Sequence, residues 1–167
     1  WDYSEAEGCS TNGSVAKGGT SGPTGSVHAG DWTTLEGNMK WLEDAATASK
    51  QHQIPFFLYQ GMNIVHPPYH TNQFWFDRID PSRVEVPEWQ PLEQLHPCDL
   101  QSSMLKGCIP AGGNTSATAV AFYDKARRGR IRRIYLAMIA EFDAMVGAYM
   151  RKVTDTGVAN QTLFIVT

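Results

Sequence analysis

Cysteine is scarce in this chain: Cys9, Cys98 and Cys108 are the only three among 167 residues. None sits in a C-x-x-C pair or beside a histidine at metal-ligand spacing, so the usual zinc and dithiol motifs are excluded. His28, His52, His70 and His96 share no ligand spacing either, and no metal site is predicted from these residues. A run of 18 apolar residues is also missing, so no membrane-spanning helix is expected. Neither sign of charge dominates. Fourteen Lys and Arg against seventeen Asp and Glu leave a net charge of −3, which suggests neither nucleic acid nor a membrane surface as partner. Glycine is abundant from Gly18 to Ser26, but no strand pattern precedes it and no G-K-[ST] follows. That excludes a phosphate-binding loop.

What the chain does contain is enough for one core. Its hydrophobic content is 42% over 167 residues, in the range of an ordinary globular domain. Residues 1–30 read as a Gly/Ser-rich surface loop, too polar to offset its own ordering entropy. Residues 33–51 read as a helix: Thr33-x-x-Glu36 resembles a capping box, and Leu35, Met39, Leu42 and Ala46 recur at helical spacing. Residues 67–126 form an irregular insertion punctuated by Pro81, Pro87, Pro91, Pro97 and Pro110. Its Phe74, Trp75, Phe76 and Trp89 suggest packing on the body or at the rim of a cleft. Residues 130–153 give the clearest helix, with Ile131, Tyr135, Met138, Phe142, Met145 and Tyr149 along one stripe. That stripe reads as core packing.

Two apolar runs complete the pattern. Phe56 to Tyr59 follow Pro55 without a polar interruption, and Thr162 to Val166 follow the long helix. Each reads as a strand covered on both faces. Strand, insertion, helix, strand makes a crossover, so the fold class is α/β: part of a mainly parallel sheet flanked by helices. The whole of residues 1–167 reads as one partial domain.

The first strand runs into the segment Gly61-Met62-Asn63-Ile64-Val65-His66-Pro67-Pro68. Gly61 breaks the apolar run, and the two prolines stiffen the backbone around His66. An imidazole is thereby presented beyond the carboxyl end of a strand, the edge where open α/β sheets bind ligands. Glu141 and Asp143 in the long helix are two residues apart and face different ways, so they are not a general acid/base pair. Lys125, Arg127, Arg128, Arg130, Arg132 and Arg133 form a dense basic cluster. It reads either as a solvated turn or as an attraction for an anionic polysaccharide.

The Pro55–Pro67 segment resembles the sulfatase pattern P-F-F-L-Y followed by H-P. The likeness extends over about four fifths of the chain. It includes Asp31-Trp32, Trp41-Leu42, Asn63 and His66. Further on it takes in Val86-Pro87-Glu88-Trp89-Gln90-Pro91-Leu92, His96-Pro97, and Tyr135 to Gly147 with Glu141 and Asp143. The resemblance implies an alkaline-phosphatase-like fold and hydrolysis of sulfuric esters, with sulfated glycosaminoglycan sugars such as 2-sulfoglucuronate, or aryl sulfates, as substrates. It implies that His66 is catalytic and touches substrate, and that Asn63 lies in the substrate site. It further implies a formylglycine nucleophile and calcium in the intact enzyme, with their residues outside this chain, so that this piece alone is inactive. Other members of the superfamily leave two alternatives open: a non-catalytic binding module, or a phosphoesterase. With the resemblance, the sequons at Asn12, Asn114 and Asn160 suggest glycosylation and a lysosomal or secreted location. Cys98 and Cys108 are spaced to close a short loop in an oxidising compartment, or stay as free thiols.

Overall fold

The computed structural model describes residues 13–20, 22, 24–88, 94–105 and 125–167. Asn12, Cys9, Trp89, Cys108 and Asn114 lie outside the described residues. Two long helices form the body. Helix α1 spans Ala29–His52 and buries Trp32, Leu35, Leu42 and Ala46. It starts four residues earlier than its sequence pattern suggests, and Thr33 does not cap it. The N-cap position is His28, with no side-chain cap, and the Thr33 hydroxyl donates to the Ala29 carbonyl at 2.9 Å. Tertiary bonds made by His28 and Trp32 extend the helix past the point where local capping would end it. At the far end Gln53 takes a left-handed conformation, φ 57°, and its N–H returns to the Ser49 carbonyl at 3.0 Å.

The long helix, Lys125–Asp155, buries Ile134, Ala137, Met138, Glu141, Met145, Tyr149 and Val153. Its buried face is rotated from the expected stripe: Ile134 goes fully inside and Tyr135 stays 36% exposed. The two helices run parallel. Trp32 meets Glu141, Glu43 meets Lys152 at 2.7 Å, and Lys50 reaches the Thr156 carbonyl at 2.9 Å. Helices on one face of a parallel sheet share this direction.

The sheet that is present was not expected where it occurs. β1, Ser14–Ala16, pairs in parallel with β2, His70–Asn72, in the register Ser14↔His70, Val15↔Thr71 and Ala16↔Asn72. These strands fall in the stretches read as surface loop and irregular insertion, and Asn72 accounts for the difference. This fully buried side chain donates to the Thr20 and Gly25 carbonyls at 3.2 and 3.4 Å. Its oxygen accepts from the Trp75 N–H at 3.2 Å and caps the short helix α2, Gln73–Phe76. Gly19 sits against it with φ +93°, and a Cβ there would lie 2.6 Å from the Asn72 amide nitrogen. The glycines hold a tight turn around one asparagine.

The rest of the insertion holds a 3₁₀ turn at Pro81–Arg83 and helix α3, Pro97–Leu105. With α3 placed, the long helix Lys125–Asp155 is α4. Trp75 is buried, and Phe74, Phe76 and Ile79 pack on the helical core, as its aromatic content suggests. Part of the basic cluster fastens this region. Arg133 lies 3.9 Å from the Phe76 ring centre and donates to the Ile79 and Phe76 carbonyls at 2.9 and 3.2 Å. Arg128 donates to the Pro87 carbonyl at 2.6 Å.

The two apolar runs depart most from expectation. Residues 54–63 and 162–167 hold no regular secondary structure and make no strand ladder among the described residues. In the first run Phe56 and Leu58 pack on the core, whereas Phe57 and Tyr59 are 85% and 80% exposed. In the second, Leu163 and Ile165 are 83% and 74% exposed. Neither is covered on both faces. A strand needs at least one neighbouring strand to pair its backbone, and among the described residues neither run has one.

Candidate functional site

Residues 61–68 leave the inner edge of the first run and turn back towards β2. The turn is closed by the His66 N–H, which donates to the Asn63 carbonyl at 2.8 Å. His66 is exposed. Its Nδ1–H donates to the Pro67 carbonyl, because a carbonyl can only accept. That fixes the tautomer and leaves Nε2 for a ligand, where it accepts when the ring is neutral and donates when it is charged. Asn63 is also exposed, three residues earlier on the same loop.

The loop is gripped from beneath. Asp31, buried in the first turn of α1, accepts from the Asn63 N–H with one carboxylate oxygen and from the Ile64 N–H with the other, each at 3.0 Å. The Ile64 side chain is itself part of the core. One turn of α1 is held in the same way by Glu141 of α4. This fully buried carboxylate accepts from Ser26 Oγ at 2.5 Å, Trp32 Nε1 at 2.8 Å and His28 Nδ1 at 2.9 Å. Burial pushes the Glu141 pKa up, but the bonds from His28, Ser26 and Trp32 and the charge of His28 outweigh it and hold the carboxyl below its ordinary range.

The histidines do not converge. His28 serves Glu141, and His70 lies in β2 with its Nδ1 on the Ser14 hydroxyl. His70 therefore shares neither loop nor partner with His66. Among the described residues no three His, Cys, Asp or Glu side chains are grouped to hold a metal ion. Asp31 and Glu141 are both engaged by donors, so these residues do not fit a calcium cage and no step is assigned through one. No helix is long and apolar enough to cross a membrane among the described residues. Asn160 is exposed in a 3₁₀ turn at Ala159–Gln161, and Cys98 is exposed in α3.

The anchoring roles of Glu141, Asp31 and Asn72 escaped the sequence reading, although Asp31 and Glu141 lie among the positions that resemble the sulfatases. Glu141 had a signal: an acid between Met138, Phe142 and Met145 on an apolar stripe must find donors when buried. Nothing in the sequence tells the roles of Asp31 and Asn72, since their partners are backbone groups some 30 to 50 residues away.

No protein-family model matches the chain, and no solved structure matches it. Curated proteins do match, and through them the chain belongs to the sulfatase family. The relatives are arylsulfatase K proteins. That of Xenopus laevis is 30% identical over 154 residues, 84% of this chain and 26% of the relative. That of Bos taurus is 31% identical over 150 residues, 82% and 25% respectively. That of Homo sapiens is 27% identical over 148 residues, 81% and 25%. The chain thus spans about a quarter of the length of the curated relatives it matches. Sulfatase kinship implies an alkaline-phosphatase-like α/β fold, with which the parallel helices and the small parallel sheet are consistent.

Proposed function

We propose that the full-length protein hydrolyses sulfuric esters, with sulfated saccharides of the glycosaminoglycan type, such as 2-sulfoglucuronate, as its substrates. The observation that supports this best is the His66 loop. It is exposed at its tip, held rigidly at its base, and carried by the stretch that matches arylsulfatase K. In this reading His66 is catalytic and binds the sulfate or ester oxygen through Nε2, and Asn63 lines the same substrate site. A charged imidazole bound through Nδ1 to Pro67 directs its remaining N–H at an anion, and such preorganised donors contribute about two to three orders of magnitude in rate. The nucleophile and calcium ligands lie outside this chain, so residues 1–167 alone are expected to leave a sulfate ester intact. The cations between Lys125 and Arg133 suit a polyanionic substrate through their long-range field.

Two structural readings accompany the function. The Pro55–Gln60 and Thr162–Val166 runs become neighbouring strands of the parallel sheet once the rest of the domain is present, each following one of the two parallel helices. In the same reading the protein takes a lysosomal or secretory route and is glycosylated at its sequons, which the exposure of Asn160 supports.

The test is to assay the purified full-length protein on 4-nitrophenyl sulfate, 4-nitrophenyl phosphate and a disaccharide bearing 2-sulfoglucuronate. Release of sulfate from the first and third is expected. Preference for the phosphate ester would favour a phosphoesterase, and no turnover of any ester would favour a binding module.

A further inference from the structure

We propose that Asp31 is a positioning residue for this reaction: its carboxylate fixes the backbone from which His66 projects. The proposal rests on the reading of His66 given above. A carboxylate in the first turn of a helix ordinarily faces solvent or the helix's own N–H groups. Asp31 does neither. It is buried, and α1 has no side-chain cap. Both of its oxygens go instead to consecutive N–H groups of another segment, Asn63 and Ile64.

That arrangement constrains more than distance. Two parallel bonds from one planar group to two successive amides set the orientation of the peptide between them, which a single bond cannot do. The next constraint follows at once, because the Asn63 carbonyl receives the His66 N–H. From Asp31 to His66 the path is therefore two hydrogen bonds and one tight turn. The base of the path is equally firm. His28 and Trp32, on either side of Asp31, are both tied to Glu141 of α4. A reacting group displaced by about 1 Å can lose on the order of a hundredfold in rate. Asp31 never touches substrate in this account.

Stability alone does not require the charge, since Ile64 already anchors the loop by packing into the core. Asp31→Asn is a suitable probe: it keeps the shape and one acceptor, but turns an NH₂ towards the second N–H.

The experiment is a double-mutant cycle in the full-length enzyme, with kcat and KM measured on 4-nitrophenyl sulfate for wild type, Asp31→Asn, His66→Ala and the double variant. Asp31→Asn is expected to lower kcat about ten- to hundredfold with little change in KM. Added to His66→Ala, it is expected to cost less than about threefold more, because there is no longer an imidazole to misplace. An undiminished Asp31→Asn loss in the His66→Ala background would overturn the proposal and leave the role of His66 intact. A His66→Ala enzyme with full turnover would instead overturn the reading beneath it. If Asp31→Asn does not fold, Asp31→Ser, which keeps one hydroxyl acceptor, enters the same cycle. Failure of both to fold would overturn the proposal in favour of a purely structural role.

Discussion

The two apolar runs are more continuously apolar in sequence than the amphipathic helix pair, yet the helices form a finished core and the runs a half-covered surface. Leu35 and Leu42 of α1 and Met138 and Met145 of α4 bury one another fully. Phe57, Tyr59, Leu163 and Ile165 lie in solvent. A helix satisfies its own backbone and needs only a partner for one stripe of side chains. A strand needs partners for its backbone and covers for both faces. The same 167 residues can complete the first kind of element and leave the second unfinished. The catalytic loop proposed here joins the two: its base belongs to the completed core and its strand to the unfinished layer.

The sharpest way to break this comparison is at the bare face. If Phe57 becomes buried in the complete sheet, Phe57→Ala in the full-length protein should cost about 3–5 kcal/mol. Urea denaturation of the two proteins would measure it. A change near zero would mean that the face stays open and that the strand assignment is wrong.

The finished region is tested through its buried carboxylate. Glu141→Gln removes a charge that three donors address, and about 2–3 kcal/mol should be lost at neutral pH. The pH dependence has a definite sign. Because the folded-state pKa of Glu141 is depressed, its contribution is complete above the ordinary glutamate range and disappears as pH falls through the lowered value. The gap between wild type and variant should therefore hold at neutral pH and narrow in acid. A gap that widened on acidification would contradict the assignment.

Gly19→Ala should be the next smaller loss, about 1–3 kcal/mol, since it combines a positive φ with a Cβ pressed on Asn72. A thermal melt with unaltered midpoint would show that the loop around Asn72 can simply move aside. Least of all should come from the exposed pair of Glu43 and Lys152. Lys152 holds the Glu43 carboxyl below its ordinary pKa through a hydrogen bond and its charge. Glu43→Gln should nonetheless leave the melting temperature unchanged within error, as exposed pairs usually do.

Legibility in the sequence followed the same division. Both long helices could be read because their periodicity reports on a partner stripe within the chain, although the start of α1 shifted where His28 and Trp32 bond to Glu141, which spacing cannot reveal. The short β1–β2 pair was invisible, since Ser14–Ala16 and His70–Asn72 carry no alternating pattern and owe their register to Asn72 and the glycines beside it. The apolar runs were legible as sequence but not as structure, for their strand character depends on neighbours. His66 stood out because two prolines follow it. Asp31 did not, because nothing in a lone acidic residue tells which distant amides it will hold.

In the proposed function His66 acts on the ester, whereas His28 and His70 serve the fold. The most direct test compares His66→Ala with His70→Ala in the full-length protein, measuring kcat on 4-nitrophenyl sulfate and the melting temperature of each. His66 is exposed and, among the described residues, bonded only to its own loop, so its removal should lower turnover by about two to three orders of magnitude and leave the melt almost unchanged. His70 is bonded to Ser14 across the β1–β2 pair, so its removal should affect the melt more than the turnover. Equal kinetic losses in the two variants, or a lowered melting temperature with normal turnover for His66→Ala, would contradict the account.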